Sequence, residues 1–309
     1  MDWEGFGEPQ GGAPMDWEGF GEPQGGAPMN VELDWPVGRA GVAVVSPSEV
    51  ETAFLGGVSG GDQFEVASVT KLMTSLAALA AVSSGLIELD QPVPEAGEGV
   101  TVRHLLAHAA GFPFEPPGRQ RPPAQRRIYS NVGFRVLAEA VADAAGTTFA
   151  TWLSTSVLDP LEMSATRLVQ RRGIDGDPAA GAASTLDDLV RLARCLLEQG
   201  APVIGPDLFA EATTVQFPGL AGLVPGVGRF DPCDWGLGFE LHDGKRPHWM
   251  GDRRSPSAFG HFGASGCFLW VDPDAGLAAA AVTDRPFDDS KWAMATWPAW
   301  SDRRPAATG

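Results

Sequence analysis

Apolar residues follow two rhythms along this chain. Near the start, Gly41-Val42-Ala43-Val44-Val45 and Thr52-Ala53-Phe54-Leu55 are short apolar runs separated by Pro47 and polar residues, the pattern of a β-hairpin. A longer apolar run predicts a helix that starts at Ser68 and stops at Gly85. The middle third keeps helical patterning over 102–109, over 131–145 with Gly146 as its stop, and over 149–157. A further helix is predicted over 186–198, with Ser184 and Thr185 as candidate caps and Gly200 beyond its end. Strand signals return after about residue 235, in 235–241, 259–263, 267–271 and 277–283, divided by turn residues such as Asp272-Pro273-Asp274. The final run, 290–300, reads as a helix limited by Pro298. Strands at both ends with helices between predict an α+β fold: one antiparallel sheet built from the N- and C-terminal segments, with flanking helices and an all-helical lobe.

The first 28 residues stand apart from this pattern. Residues 1–14 recur without change as 15–28, and their Gly, Pro, Gln and Glu content buries too little apolar surface to offset the entropy of ordering. A disordered tail is expected over 1–28 and a folded domain over 29–309. Its sheet lobe would take about 29–88 and 230–309, and its helical lobe about 89–229.

Composition narrows the partners. The formal charge is -17, and each copy of the repeat carries three acids and no base, so the body is acidic without the tail. Phosphate-rich partners are repelled from most directions, which argues against nucleic acid and anionic membrane surfaces and for a small-molecule or short peptide substrate. No stretch is apolar for long enough to span a bilayer, and no basic n-region or apolar h-region opens the chain, so a soluble, cytoplasmic protein is expected. Cys195, Cys233 and Cys267 have no metal-ligand spacing and predict buried, reduced thiols. No metal or cofactor is expected.

Three short motifs carry the chemistry. In Ser68-Val69-Thr70-Lys71 the lysine stands one helical turn beyond the serine, with its amine in reach of the hydroxyl. A serine at a helix start sits over free backbone N–H groups and the positive end of the dipole, where an oxyanion is favoured. An ordinary lysine, with a pKa near 10.4, is a poor base at neutrality, so Lys71 must be desolvated or placed near another cation. Tyr129, the only tyrosine, opens Tyr129-Ser130-Asn131; its phenol suits a proton shuttle and Asn131 suits a substrate amide or carbonyl. With Lys71 and an arginine-rich segment nearby, the phenol is expected to ionise below its reference value of about 10. In the third stretch, His261-Phe262-Gly263-Ala264, glycine lets a ligand approach the strand closely, and the Ala264 N–H can pair with that of Ser68 as an oxyanion hole.

Two decoys compete with these motifs. Ser59 in Gly57-Val58-Ser59-Gly60-Gly61 satisfies a nucleophile-elbow pattern, yet Asp62-Gln63-Phe64-Glu65-Val66 after it reads as extended chain rather than helix. His104 and His108 have i,i+4 metal-ligand spacing but lack the glutamate and the third ligand of a zinc helix.

In this order the motifs resemble the serine β-lactamase and penicillin-binding-protein superfamily, in its branch with Tyr-x-Asn as second motif. Phe64 through Lys71, Thr101-Val102-Arg103-His104-Leu105-Leu106-Ala107-His108, and Phe259 through Asp272-Pro273 look like family stretches, so the resemblance spans roughly 38–285. It implies an antiparallel sheet with flanking helices beside a helical lobe, and a site between the two. It also implies an acyl-enzyme on Ser68, with Lys71 and Tyr129 as catalytic base and acid, and Asn131, His261, Gly263 and Ala264 against the substrate. The chain departs from most β-lactamases by carrying His261 where they carry lysine, which removes a fixed cation for a substrate carboxylate. A β-lactamase-like esterase is therefore expected, ahead of a D-alanyl-D-alanine carboxypeptidase, a D-aminopeptidase, a β-lactamase or a catalytically silent ligand-binding protein. The arginines at 119, 121, 126 and 127 form either a solvated loop or a carboxylate-binding rim.

Overall fold

The computed structural model describes residues 31–116 and 121–306; the repeated tail and Arg119 lie outside the described residues. The predicted hairpin is β1 (Ala40–Val45) and β2 (Val50–Leu55). Strand β3 (Phe64–Ala67) leads into α1 (Thr70–Ser83), followed by α2 (Val102–Leu106), α3 (Asn131–Ala145) and α4 (Phe149–Leu153). Short strands β4 (Arg167–Leu168) and β5 (Ala182–Ser184) precede α5 (Leu186–Leu197), α6 (Pro206–Ala212) and the hairpin β6 (Gly222–Val224) and β7 (Gly228–Phe230). The chain ends in β8 (Glu240–Leu241), β9 (Phe259–Phe262), β10 (Phe268–Asp272), β11 (Leu277–Thr283) and α7 (Trp292–Asp302).

The main sheet is antiparallel, in the order β2-β1-β11-β10-β9-β8. Its centre joins the two ends of the domain, with Ala40 opposite Thr283 and Val45 opposite Ala278. Because strand side chains alternate, each central strand feeds two cores. Ala43, Val45, Leu269, Val271, Ala278 and Ala280 pack in a core with α1 and α5, while Val42, Val44, Phe268, Trp270, Ala279 and Ala281 face Trp297 and Trp300 of α7. The alanines of β11 leave room for α5 on one face and for indoles on the other. Trp297 and Trp300 are fully buried, and truncating either to alanine costs about 3–5 kcal/mol.

The α+β architecture is the one the sequence pattern predicts, with one addition. The middle segment also carries β3-β5-β4, a three-stranded sheet whose last two strands fall within 89–229, and the β6–β7 hairpin. Strands of two or three residues are too short to display alternation, which is why the sequence shows only helices there. The 235–241 strand shrinks to β8, because Gly238 at φ +89 turns the chain between Trp235 and its bridge partner Glu240. Likewise the 102–109 helix ends at Leu106, close to His108 at φ +52.

One arginine ties the elements around the site. Arg127 is buried, and its guanidinium donates to the carbonyls of Ala107, Gln216, Phe217 and Cys233 at 2.5–3.3 Å. Burial lowers its pKa to about 10, offset in part by Cys233 and Asp234. It is therefore part of the scaffold, and the solvated-loop expectation does not apply to it. Arg127→Lys keeps the charge but cannot span four carbonyls. Each orphaned buried acceptor costs about 1–3 kcal/mol, so thermal unfolding should shift down by roughly 6–12 °C. A melting temperature close to the parent's would show that the clamp contributes little.

Candidate active site

Ser68 lies in the turn that joins β3 to α1, one residue before the helix begins its N-cap. The sequence pattern starts the helix at Ser68; the structure starts it at Thr70, with the Lys71 N–H bonded to the Ser68 carbonyl at 3.0 Å. Ala67 adopts φ +47, a region that costs a non-glycine residue about 1–3 kcal/mol, and the β3–β5 register shifts between Glu65 and Ala67. This bend leaves Ser68 half-buried while Val69 and Thr70 turn into the core.

Lys71 is fully buried. Its Nζ lies 2.6 Å from Asn131 Oδ1, 2.8 Å from the Ala179 carbonyl and 3.4 Å from Ser68 Oγ, and 4.6 Å from the centre of the Tyr129 ring. Burial holds its pKa well below the usual lysine value, with Asp177 opposing and Arg135 adding to the shift. Once deprotonated, the amine has two N–H groups and one lone pair, so that Asn131 and Ala179 can accept the two N–H bonds while the lone pair is left for the Ser68 hydroxyl.

A charged cluster that sequence reasoning missed holds those acceptors in place. Asn131 Nδ2 donates to Glu115 at 2.9 Å, Arg135 bonds both Glu115 (2.6 Å) and Asp177 (3.0 and 3.1 Å), and Asp177 accepts the Ala179 N–H at 3.0 Å. Two paths thus run from Arg135 to Lys71, one through Glu115 and Asn131, the other through Asp177 and Ala179. Asn131, expected against the substrate, is engaged by Lys71 and Glu115 in this arrangement. The available signal was its spacing to Arg135, one helical turn along α3.

Tyr129 is buried at the floor of a cleft, its phenol sharing a hydrogen bond with the Ser68 side chain. Burial raises its pKa and outweighs the Ser68 hydrogen bond, which pulls the other way. The lowered pKa anticipated from sequence is therefore reversed: the expected helper, Lys71, is itself desolvated and favours no phenolate. His108 and Phe114 pack against the ring at 4.7 and 5.8 Å, and the Asn131 N–H donates to the Phe114 carbonyl at 3.0 Å.

His261 is also buried, and burial followed by the influence of Lys71 pushes its imidazole down to about 3. It is neutral at pH 7. Nδ1 donates to the Phe262 carbonyl at 2.7 Å, which leaves Nε2 as an unpartnered acceptor. Its ring is 5.6 Å from that of Tyr129. Gly263 passes so close to the nucleophile turn that a Cβ there would meet the Val66 carbonyl at 2.3 Å and the Ser68 nitrogen at 3.1 Å. Among the described residues, neither the Ser68 nor the Ala264 backbone N–H donates a hydrogen bond, and Ala264 is exposed. All seven residues singled out from the sequence therefore border one site.

Of the decoys, Ser59 and His104 fall elsewhere, while His108 packs against Tyr129 in the site. Ser59 donates its hydroxyl to Asp62 at 2.9 Å in an exposed turn. The His104 ring caps α2 through Thr101 and stacks on Phe217 at 4.4 Å. Cys195, Cys233 and Cys267 are buried and unpaired. Among the described residues, no helix is long and apolar enough to cross a membrane.

A buried amine bonded to a serine at the start of an inner helix, a tyrosine beside both and a glycine at the end of β9 define a serine hydrolase site of the β-lactamase type. The chain matches the Beta-lactamase family over residues 36–300 and belongs to that family. It is similar in structure to a β-lactamase from Mycobacterium bovis, at 44% identity and TM-score 0.80, covering 87% of this chain and 94% of that one. The fold is also that of simvastatin synthase from Aspergillus terreus, at 15% identity and TM-score 0.71, covering 86% of this chain and 94% of that one. Penicillin-binding protein 4* of Bacillus subtilis is 27% identical over 140 residues, covering 35% of this chain and 31% of that protein's length.

The sole tyrosine makes the phenol measurable without interference. Ultraviolet difference absorbance should show no phenolate step while the protein remains folded up to about pH 10, since burial raises the pKa above its ordinary value. A step clearly below 10 in folded protein would show that a cation, rather than burial, controls Tyr129.

Proposed function

We propose that this protein hydrolyses small esters through an acyl-enzyme on Ser68. The observation that carries the reading is the Lys71 amine, buried, with both N–H bonds directed at oxygen acceptors and Ser68 Oγ at 3.4 Å. The Ser68 proton moves to Lys71 as Oγ attacks the carbonyl carbon. Negative charge on the carbonyl oxygen is taken up by the N–H groups of Ser68 and Ala264, fixed donors that need no reorganisation during the reaction. Tyr129, kept protonated by burial, gives its proton to the departing alkoxide, and the protonated Lys71 beside the Tyr129 ring passes the serine proton directly to the phenolate, so that both groups return to their resting state. In deacylation a water loses a proton to this pair and attacks the acyl carbon, and Ser68 recovers its hydrogen. His261 contacts substrate as a neutral acceptor.

The ester reading rests on His261. A β-lactam or a C-terminal D-alanine peptide presents a carboxylate, and a neutral imidazole supplies no charge to meet it at the third motif. The similarity to the Mycobacterium bovis β-lactamase favours that activity as the second reading. We place the protein in the cytoplasm, which the three unpaired cysteines support.

A fluorophosphonate should label Ser68, located by peptide mass spectrometry, and Ser68→Ala should abolish labelling; an adduct on Ser59 would overturn the assignment. In a panel of p-nitrophenyl esters, a chromogenic cephalosporin and D-aminoacyl anilides, short esters should be turned over fastest. The pH profile has a defined sign. The base is active only as the neutral amine, so kcat/KM should fall as pH drops through the lowered Lys71 pKa and reach its plateau well below the ordinary lysine value of about 10.4. With Tyr129 raised, no alkaline limb is expected before about pH 10. A rate still climbing between pH 8 and 10 would mean an unperturbed lysine and a different base.

A further inference from the structure

The substrate-facing cleft is chemically lopsided. It measures about 520 Å³ and opens directly over Tyr129. One wall is apolar, formed by Phe114, Ile128, Leu223 and Pro225. Phe114 and Leu223 are each 46% exposed, and they are two of only four large apolar side chains left exposed among the described residues. The rim is cationic: Arg121, Arg126 and Arg229 line it, and no acidic side chain does.

These arginines differ from the others around the site. Arg127 turns inward to backbone carbonyls, and Arg135 is neutralised by Glu115 and Asp177. Among the described residues no hydrogen bond or ion pair engages the guanidinium of Arg121, Arg126 or Arg229. In a chain with 39 acidic and 22 basic residues, three unpaired cations on one concave surface concentrate positive potential where the substrate enters. The other polar groups at the reaction centre put no cation on this surface, since Lys71 is fully buried beneath it and the His261 imidazole is neutral.

The cleft is lined by Tyr129 and not by Ser68 or Ala264, so it lies on the side from which the leaving group takes its proton. Resting on the ester-hydrolase reading above, we propose that the preferred substrate has an amphiphilic, carboxylate-bearing leaving group. Its aryl or alkyl body lies between Phe114 and Leu223, and its carboxylate meets Arg121, Arg126 and Arg229. Guanidinium geometry favours this head group, because its planar N–H fork can bond both oxygens of a carboxylate. The solvated-loop and carboxylate-rim alternatives thus divide by residue: Arg127 is scaffold, while Arg121 and Arg126 act with Arg229 as specificity determinants.

The test compares acetate esters of phenols carrying a para-carboxylate, a para-carboxamide or a para-trimethylammonium group, each rate normalised to hydroxide-catalysed hydrolysis. A p-nitrophenyl hemiester of glutarate places the carboxylate on the acyl side instead. The para-carboxylate ester should exceed the carboxamide in kcat/KM by roughly 10- to 100-fold at low salt, the range expected for charge-assisted hydrogen bonds. That ratio should shrink as salt rises and approach parity in Arg126→Gln/Arg229→Gln. Arg246→Gln, at an exposed arginine outside the cleft, should keep the ratio.

Equal or better turnover of the carboxamide or trimethylammonium ester would overturn the proposal. So would a preference for the acyl-side carboxylate. If no ester is hydrolysed, the hydrolase reading fails separately, and calorimetry on Ser68→Ala decides the cleft alone. There 4-hydroxybenzoate should bind more tightly than 4-hydroxybenzamide by the same ratio, and equal binding would overturn the proposal.

Discussion

An amine held away from water organises the centre of this protein. Moving an ammonium group out of water costs several kcal/mol even after relaxation, and no carboxylate bonds Lys71 directly to offset that cost. The chain eases the conflict by lowering the amine's pKa and satisfying it with uncharged acceptors, a side-chain amide and a backbone carbonyl. The charged groups sit one shell further out, where Arg135 fixes both acceptors through Glu115 and Asp177. Lys71 is thereby positioned as though by an ion pair while remaining a base.

The same constraint explains the surrounding architecture. Burying α1 on nearly every side requires helices and the sheet to close over it, and the fully buried run from Thr70 to Ala81 shows that closure. The bend at Ala67 then brings Ser68 back to the surface within three residues of the buried lysine. Gly263 completes the arrangement from the end of β9, since any side chain there would push that strand away from the nucleophile turn.

Much of this was legible in the sequence, for physical reasons that differ by element. Helices α3 and α5 were readable because each spans several helical turns and has clear stops, and strand β11 because it is a short unbroken apolar run after turn residues. Ser68 and Lys71 were readable because a local spacing sets their relation. Glu115, Arg135 and Asp177 were not, since their contacts bridge 20 and 42 residues and no local pattern records them. The direction of the Tyr129 shift failed for a related reason: the sequence shows which charges are present, while burial depends on the whole fold. Arg127 looked like its neighbours in a basic, proline-rich loop, and only tertiary structure separates the buried clamp from the cleft-lining Arg121 and Arg126.

Asn131 has two attachments that belong to different tasks. Its side chain receives a Lys71 N–H, and its backbone N–H donates to Phe114, the residue that walls the cleft. Substrate fit and nucleophile activation are therefore mechanically linked through one residue. Remodelling the Phe114 loop to admit a bulkier group strains the first turn of α3 and, with it, the acceptor that orients the amine. In evolutionary terms this narrows the accessible paths to new substrates: variation is cheapest at the side chains of Leu223 and Arg229 on the opposite bank, whose own backbone pairing runs within the β6–β7 hairpin.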